Sequence, residues 1–346
     1  MASIRNIAAL VVLTSATVAG AHHSFAPHFD INKPVSISGK VTQFEARNPH
    51  SYVHISAVDE NGRTQEYVCE SHGYTQLSRN GITPKMLKPG TEVRIDGSQS
   101  RNDTHKCFFN NVYFPDGRVL SVNGRTDAQP VRPGRAARRD IVGTWLLAPT
   151  PGRSTSGQQP AMEFLTNAGK AAVAKYNPFK DDPVFRCDPV AIRRVWGAPG
   201  TPLSITREKD RMILRHEWMD VKRIVYLNQR EHPKSGPRTS LGHSIGHFEG
   251  DTLVIETGNY SAGVLNQYVE QPGQPTRGLL HSAALTSIER LHLDAARQRL
   301  LVDITLKDPE FFTREFELPT LEFAPSDLNL EPFNCSPEGV DGPIRK

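Results

Sequence analysis

The stretch "HSIGHFEGDTLVIET", residues 243–257, gives the clearest view of the fold. Two short runs that contain isoleucine, valine and threonine flank the tripeptide "EGD" at residues 249–251. Strand-like runs separated by a tight turn with glycine are typical of a β-hairpin. The segment therefore predicts two antiparallel strands. Glu249 and Asp251 are expected to serve the turn alone, because acidic residues are common in turns.

Strand-like runs continue on both sides of this hairpin. The candidate strands after residue 140 are "MEFLT" (162–166), "PLSIT" (202–206), "RMILRHEW" (211–218), "KRIVYL" (222–227), "HSIGHF" (243–248), "DTLVIET" (251–257), "ALTSIERLHL" (284–293), "QRLLVDITL" (298–306) and "FTREFEL" (312–318). "TNAGKAAVAKY", residues 166–176, is the best helix candidate. So many consecutive antiparallel strands close most naturally into a barrel, and such a barrel can enclose one small ligand.

The chain before this region predicts a smaller β domain. Its candidate strands are "VSISGKVTQFEA" (35–46), "SYVHISAV" (51–58), "TQEYVCE" (64–70), "EVRIDGSQS" (92–100) and "KCFFNNVYF" (106–114). A helical segment is expected around residues 74–88, between the third and fourth strands. Three strands, a short helix and two strands are the order of an OB-like barrel. The expected fold class is therefore all-β: a small five-stranded OB-like barrel followed by a larger antiparallel, lipocalin-like barrel.

A polar segment separates the two regions. "DAQPVRPGRAARRD", residues 127–140, is rich in arginine and proline and predicts a solvated linker. The predicted domains are residues 22–126 and 141–346. The net charge of +4 is mild, and no dense basic stripe is interleaved with aromatic residues, so nucleic acid is not a predicted partner. The sequence lacks the G-x-S-x-G, H-E-x-x-H and P-loop motifs.

The first 21 residues predict a cleaved secretory signal peptide. A short apolar run follows Arg5, and Ala19 and Ala21 supply the small residues before the cleavage point. The apolar run is too short for a permanent membrane span, which needs roughly 20 apolar residues. We therefore expect a periplasmic or secreted protein that begins at His22 and has no membrane span.

Export makes the four cysteines candidates for disulfides. Four cysteines allow three pairings. We favour Cys69 with Cys107 and Cys187 with Cys335, because each bridge then stays inside one predicted domain.

Several motifs resemble known families. The N-terminal part resembles DUF6152, a family of exported bacterial proteins of unknown function, through "AHHSF" (21–25), "KPV" (33–35), "GKV" (39–41) and "NPH" (48–50). The C-terminal part resembles another exported bacterial group without assigned chemistry, through "RC" (186–187), "HP" (232–233) and "SIGHFEGDTLVIET" (244–257). "GTW" (143–145) resembles the G-x-W of lipocalin-like barrels. These resemblances support export and the domain division but imply no reaction.

Strand alternation identifies candidate site residues in the larger barrel. His216 shares a face with Met212, Leu214 and Trp218, and Glu289 shares a face with Leu285, Ser287, Leu291 and Leu293. A histidine and a carboxylate inside an apolar barrel suit general acid–base chemistry. We predict that His216, His281 and Glu289 act without a cofactor on a small apolar molecule in a non-redox step such as hydration, isomerisation or cyclisation. Arg223, His243 and Trp218 are the predicted substrate-binding residues.

Three alternatives remain open at this stage. A buried glutamate near an arginine is often a structural ion pair, which would give Glu289 no catalytic role. A mature N-terminus at His22 can chelate Cu(II) through its amine and imidazole, with His50 as the preferred further ligand. An envelope interaction module with no small ligand would have a larger barrel packed with side chains.

Overall fold

A computed structural model describes residues 28–59, 61–122, 137–148, 162–177, 180–198, 200–269 and 276–338. The predicted signal peptide, His22 and most of the predicted linker lie outside these residues. The described chain is all-β, as expected, with a few short helices.

The N-terminal part forms the predicted small sheet. Its elements are β1 (Phe29–Glu45), β2 (Ser51–Val58), β3 (Thr64–Ser71), α1 (Tyr74–Arg79), β4 (Glu92–Ser100), β5 (Lys106–Tyr113) and β6 (Val119–Ser121). The pairings run β3–β2–β1–β4–β5, and a further parallel pairing of β3 with β5 joins the two ends into a ring. This five-stranded ring with a helix between β3 and β4 confirms the OB-like prediction.

The C-terminal part forms the larger barrel. Its strands and helices are β7 (Gly143–Leu147), α2 (Asn167–Lys175), α3 (Ile192–Trp196), β8 (Pro202–Glu208), β9 (Arg211–His216), β10 (Lys222–Tyr226), β11 (His243–Glu249), β12 (Thr252–Gly258), β13 (Gly263–Val269), β14 (Thr276–His281), β15 (Thr286–Asp294), β16 (Arg299–Lys307) and β17 (Phe316–Pro325). Nine of these strands close the barrel in the order β7–β8–β9–β10–β11–β12–β15–β16–β17. The closed barrel confirms the predicted architecture.

Five local features differ from the sequence-based expectation. Strand β17 begins at Phe316 and runs to Pro325, beyond the predicted strand "FTREFEL" (312–318). In "MEFLT", residues 162–164 form a turn, Leu165 makes an isolated β-bridge with Phe312, and Thr166 caps α2 by accepting a hydrogen bond from the Gly169 amide at 3.1 Å. Strand β9 ends at His216, because the backbone then turns through positive φ at Met219 and Asp220. Strand β10 pairs with β11 in parallel, since residues 227–242 carry the chain back before β11 begins. The hairpin β13–β14 was not predicted and lies outside the barrel wall.

Apolar side chains fill the interior of the larger barrel. Trp145, Leu214, Ile255, Leu291 and Val302 are completely buried and belong to one continuous hydrophobic cluster. Both helices contribute to this cluster, Val173 from α2 and Ile192 from α3. The barrel core is therefore closed by helices that stand outside its wall.

The described C-terminal end of the chain, here called the C-terminal segment (residues 326–338), contacts both sheets. A disulfide joins Cys335 to Cys187, and the backbone of Cys335 pairs with Asn48 of the smaller domain. The second disulfide, between Cys69 and Cys107, links β3 to β5. Both favoured cysteine pairings are confirmed.

An ion pair also joins the two domains. The Arg79 guanidinium at the end of α1 donates to both carboxylate oxygens of Glu217, which follows β9. Glu217 is buried and also accepts a hydrogen bond from the Glu331 amide at 2.8 Å. The C-terminal segment and this ion pair therefore both connect the two domains, and we call this region of contact the junction.

Candidate functional site

A buried ion pair crosses the interior of the larger barrel. Arg223 of β10 donates from Nη1 to Glu289 Oε2 and from Nη2 to Glu289 Oε1, each at 2.8 Å. Nη2 also donates to Ser244 Oγ at 3.1 Å and to Thr257 Oγ1 at 3.2 Å. Burial acts to lower the pKa of Arg223, but the charge and hydrogen bonds of Glu289 outweigh it, so the pKa is raised.

His216 lies on the inner face of the neighbouring strand. Its backbone amide bonds to Val221, which places its side chain diagonal to Arg223 on the same face. Burial, and then the charge of Arg223, lowers the pKa of His216 to about 3. Its Nε2 is buried without a hydrogen-bond partner among the described residues. A neutral imidazole with an unused nitrogen therefore stands beside the ion pair. We call Arg223, Glu289, Ser244, Thr257 and His216 the polar layer.

Helix α3 covers the polar layer, and we call this helix the cap. The indole Nε1 of Trp196 donates to Glu289 Oε2 at 2.6 Å. The edge of the Trp196 ring meets His216 with ring centroids 5.1 Å apart. On the side of the cap that leads to the junction, Arg194 pairs with Asp182, and both residues are buried. Trp196 thus connects the cap to the polar layer.

Tyr260, Ser287 and His281 form a second buried polar cluster next to the polar layer. The Tyr260 hydroxyl and Ser287 Oγ are 2.7 Å apart, and burial raises the pKa of Tyr260. His281 meets the Tyr260 ring edge-on at 6.0 Å and its Nδ1 donates to the Ser282 carbonyl at 3.0 Å. Burial lowers the pKa of His281 although Ser282 and Asp308 act to raise it. Its Nε2 is buried with no hydrogen-bond partner in the described part of the chain.

The structure brings only part of the predicted site together. Glu289, Arg223 and His216 adjoin one another as expected, and His281 reaches them only through Tyr260. His243 does not join them: it lies on the outer face of β11, since the next residue, Ser244, points inward to Arg223.

The expectation that Trp218 shares the inner face of β9 is wrong. The strand ends before this residue, and Trp218 packs in a separate cluster with Val195, Val221 and Phe333 at the junction of the two domains. Trp218 therefore does not lie beside His216 on the inner face, because the backbone leaves the strand after His216.

His50 lies between two carboxylates rather than at a free sheet edge. Its Nδ1 is 3.2 Å from Glu338 of the C-terminal segment and 3.6 Å from Glu70 of β3. His22, its predicted copper-binding partner, is outside the described residues. Within the described ranges, no group of three or more histidine, cysteine, aspartate or glutamate residues is arranged to hold a metal ion.

Sequence reasoning missed Trp196, Tyr260 and two residues of the polar layer, Ser244 and Thr257. The last two had a usable signal: pairing the strands outward from the "EGD" turn sets Ser244 opposite Thr257, as the structure has it. Trp196 had no comparable signal, because it lies outside the series of strands.

The comparisons with known proteins concern the smaller domain. Its Asn48-Pro49-His50 motif leads into β2, next to the junction with the C-terminal segment. Residues 9–108 match a family of unknown function, DUF6152. This confirms the resemblance of the N-terminal part, and the match ends inside β5 before the larger barrel begins.

No curated protein and no solved structure matches the chain. In the part of the chain that the structure describes, no helix is long and apolar enough to cross a membrane.

Proposed function

We propose that this is an exported binding protein whose larger barrel takes up a small, largely apolar molecule at the capped polar layer. The observation that carries the proposal is His216 Nε2, a buried hydrogen-bonding atom without a partner among the described residues, next to Arg223 and Glu289. Buried polar atoms normally have partners, and an orphan in an apolar interior is a candidate for ligand binding.

The charges of the polar layer suit a neutral occupant. Arg223 and Glu289 neutralise each other, and His216 is neutral because its pKa is about 3. An anionic or cationic ligand would bring an unpaired charge into this interior at a high cost. We therefore propose an apolar molecule with one neutral hydroxyl or carbonyl group that bonds to His216.

Entry of the molecule requires the cap to move. Leu214, Ile255 and Leu291 near the layer are completely buried in the apolar cluster of the barrel, so an occupant has to displace part of this packing to reach His216. The cap is a helix of five residues without a side-chain bond at its N-terminus, whereas the wall is continuously paired. The proposed opening displaces Trp196 from Glu289 and moves the cap, which the buried Arg194–Asp182 pair also holds.

Binding has more support than catalysis. An imidazole with a pKa of about 3 is a weak base at neutral pH, and Glu289 is committed to its ion pair. The proposed acid–base step by His216, His281 and Glu289 therefore requires an occupant that changes these environments. The two disulfides support export, because cytosolic cysteines are normally kept reduced.

Titration with naphthalene, 1-naphthol and 1-naphthoate tests the proposal. We expect one saturable site per chain, with 1-naphthol bound more tightly than naphthalene and 1-naphthoate bound least. Tryptophan emission should change on binding, because Trp196 leaves Glu289.

The variant His216→Phe keeps the ring and removes the unused nitrogen. It should weaken 1-naphthol binding about tenfold, the effect of one hydrogen bond, and leave naphthalene unchanged. His247→Gln is the matched control, since His247 is exposed on the outer face of β11. The proposal fails if none of the three compounds saturates a site, or if His216→Phe does not separate 1-naphthol from naphthalene.

A further inference from the structure

Two histidines on the outer face of the larger barrel point the same ring nitrogen at each other. The Nδ1 atoms of His232 and His243 are 3.0 Å apart, and the two rings are nearly perpendicular at 88°. Both side chains are partly exposed, so ions in solution can reach them. Neither residue contributes to the polar layer, which lies on the opposite face of β11.

The surrounding residues hold this pair in place. His243 stacks on Tyr226 of the neighbouring strand, with ring centroids 5.2 Å apart and an interplanar angle of 15°. The loop that carries His232 is tied down by Asn259, whose side-chain amide donates to the Pro233 carbonyl at 2.9 Å. Both histidines are therefore positioned by neighbours.

Gly258 provides the space that the His232 ring occupies. A Cβ atom at this position would lie 3.1 Å from His232 Cδ2 and 3.3 Å from Nε2, closer than ordinary contact. The ring therefore rests directly on the backbone at the end of β12. Any larger residue at position 258 would move the His232 ring and with it the Nδ1 atom.

We propose that His232 and His243 form a binding site for a divalent transition-metal ion, Cu²⁺ first among them. At 3.0 Å, one of the two Nδ1 atoms donates its proton to the other in the metal-free protein. When the ion binds, that ring changes to the tautomer with its proton on Nε2, both rings rotate so that their Nδ1 lone pairs face the ion, and water supplies the remaining ligands.

The distance between the nitrogens favours copper over zinc. With metal–nitrogen bonds of about 2.0–2.1 Å, a separation of 3.0 Å corresponds to an angle of about 95° at the metal. That angle suits neighbouring positions of a square-planar or tetragonal site, whereas a tetrahedral zinc site needs about 3.3 Å. Cu²⁺ is also the strongest binder of the divalent series at nitrogen sites.

The test is titration of the full chain with Cu²⁺ against a chromophoric chelator, with the bound ion characterised by electron paramagnetic resonance. His232→Gln and His243→Gln should each lower the affinity of one Cu²⁺ equivalent at least tenfold. The resonance spectrum of that equivalent should show nitrogen ligands in a tetragonal geometry. A copper ion at His22 would be a separate equivalent that these variants leave intact.

Two further variants distinguish copper binding at one defined site from nonspecific binding at surface histidines. Gly258→Ala keeps both histidines but requires the His232 ring to shift by a few tenths of an ångström, and should weaken this equivalent by less than the histidine variants do. His247→Gln, on the same strand and face as His243 but paired with Glu249, should leave it unchanged. Circular dichroism without metal checks that all variants are folded.

The proposal is overturned if the affinity and stoichiometry are the same in the wild type and both histidine variants. It is also overturned if His247→Gln weakens binding as much as they do. Tighter binding of Zn²⁺ than of Cu²⁺ at this equivalent would contradict the tetragonal assignment.

Discussion

Replacing Arg223 by methionine measures the cost of leaving Glu289 as a buried, unpaired carboxylate. Among the described residues, Arg223 supplies two of the three hydrogen bonds that Glu289 receives, and the bond from Trp196 Nε1 remains after the substitution. Breaking a buried ion pair by removing one partner costs about 3–5 kcal/mol. We expect the free energy of unfolding of Arg223→Met to fall by that amount.

The double variant Arg223→Met/Glu289→Leu should be more stable than the single variant. It removes both charges, and Ser244 and Thr257 still bond to each other at 2.9 Å. The remaining loss is the acceptor of the Trp196 indole, about 1–3 kcal/mol for a buried donor left unsatisfied. The double variant should also lose binding of 1-naphthol if the ion pair orients the ligand.

Urea unfolding followed by tryptophan emission is the assay. All three tryptophans lie in the C-terminal part of the chain, Trp145 in β7, Trp196 in the cap and Trp218 after β9, so their emission reports this domain. Arg290→Met is the matched control, since Arg290 is the next residue on β15 and its pair with Glu249 is exposed. Its unfolding free energy should stay close to that of the wild type because exposed pairs contribute little. Equal losses in Arg223→Met and Arg290→Met, or in the single and double variants, would refute the reasoning.

Three further results are expected. The pKa of His216 is about 3 in the folded protein and about 6.5 in the unfolded chain, so the unfolded chain binds the proton first as the pH falls. The stability that His216 contributes is therefore present above pH 6.5 and is lost as the pH falls toward 3. By pH 5 the loss is about 2 kcal/mol. Urea unfolding at pH 5 and pH 7 should show this loss in the wild type and a smaller one in His216→Phe. Arg79→Met removes the guanidinium from Glu217 and leaves the Glu331 amide as its donor, which should weaken the contact between the domains by about 3 kcal/mol. Chymotrypsin should then cleave the chain faster at the junction, and an unchanged cleavage rate would contradict this prediction. The double variant Cys187→Ser/Cys335→Ser removes a disulfide that closes a loop of 148 residues, and should lower the free energy of unfolding by up to about 5 kcal/mol. Thermal denaturation measures this loss, and an unchanged transition temperature would contradict the prediction.

The barrel strands could be predicted from the sequence because their alternation is regular. In "SIERL" every second side chain is buried, including Glu289. In "RMILRH" the alternate positions Met212, Leu214 and His216 are buried, and Ile213 between them is buried as well. The period of two along a strand therefore identified which polar residues face inward. The disulfides followed from confining each bridge to one domain.

The cap and the contact between the domains could not be predicted in this way. Trp196 reaches Glu289 from a helix of five residues 93 positions away, and such a short helix carries almost no periodic signal. The turn after β9 that removes Trp218 from the barrel depends on left-handed backbone at Met219, a residue that rarely adopts it. Both features depend on tertiary contacts that no local pattern encodes.

The C-terminal segment imposes an order on how the molecule is completed. Cys69 and Cys107 are close in the chain and can join as soon as the first domain has emerged, whereas Cys187 must wait until Cys335 is available. Asn48, near the start of the described chain, likewise finds its partner in Cys335 only at that late stage. One contact between the two domains thus depends on the part of the described chain that is synthesised last. A chain interrupted before residue 335 would lack the pairing of Asn48 with Cys335 and would keep Arg79 and Glu217.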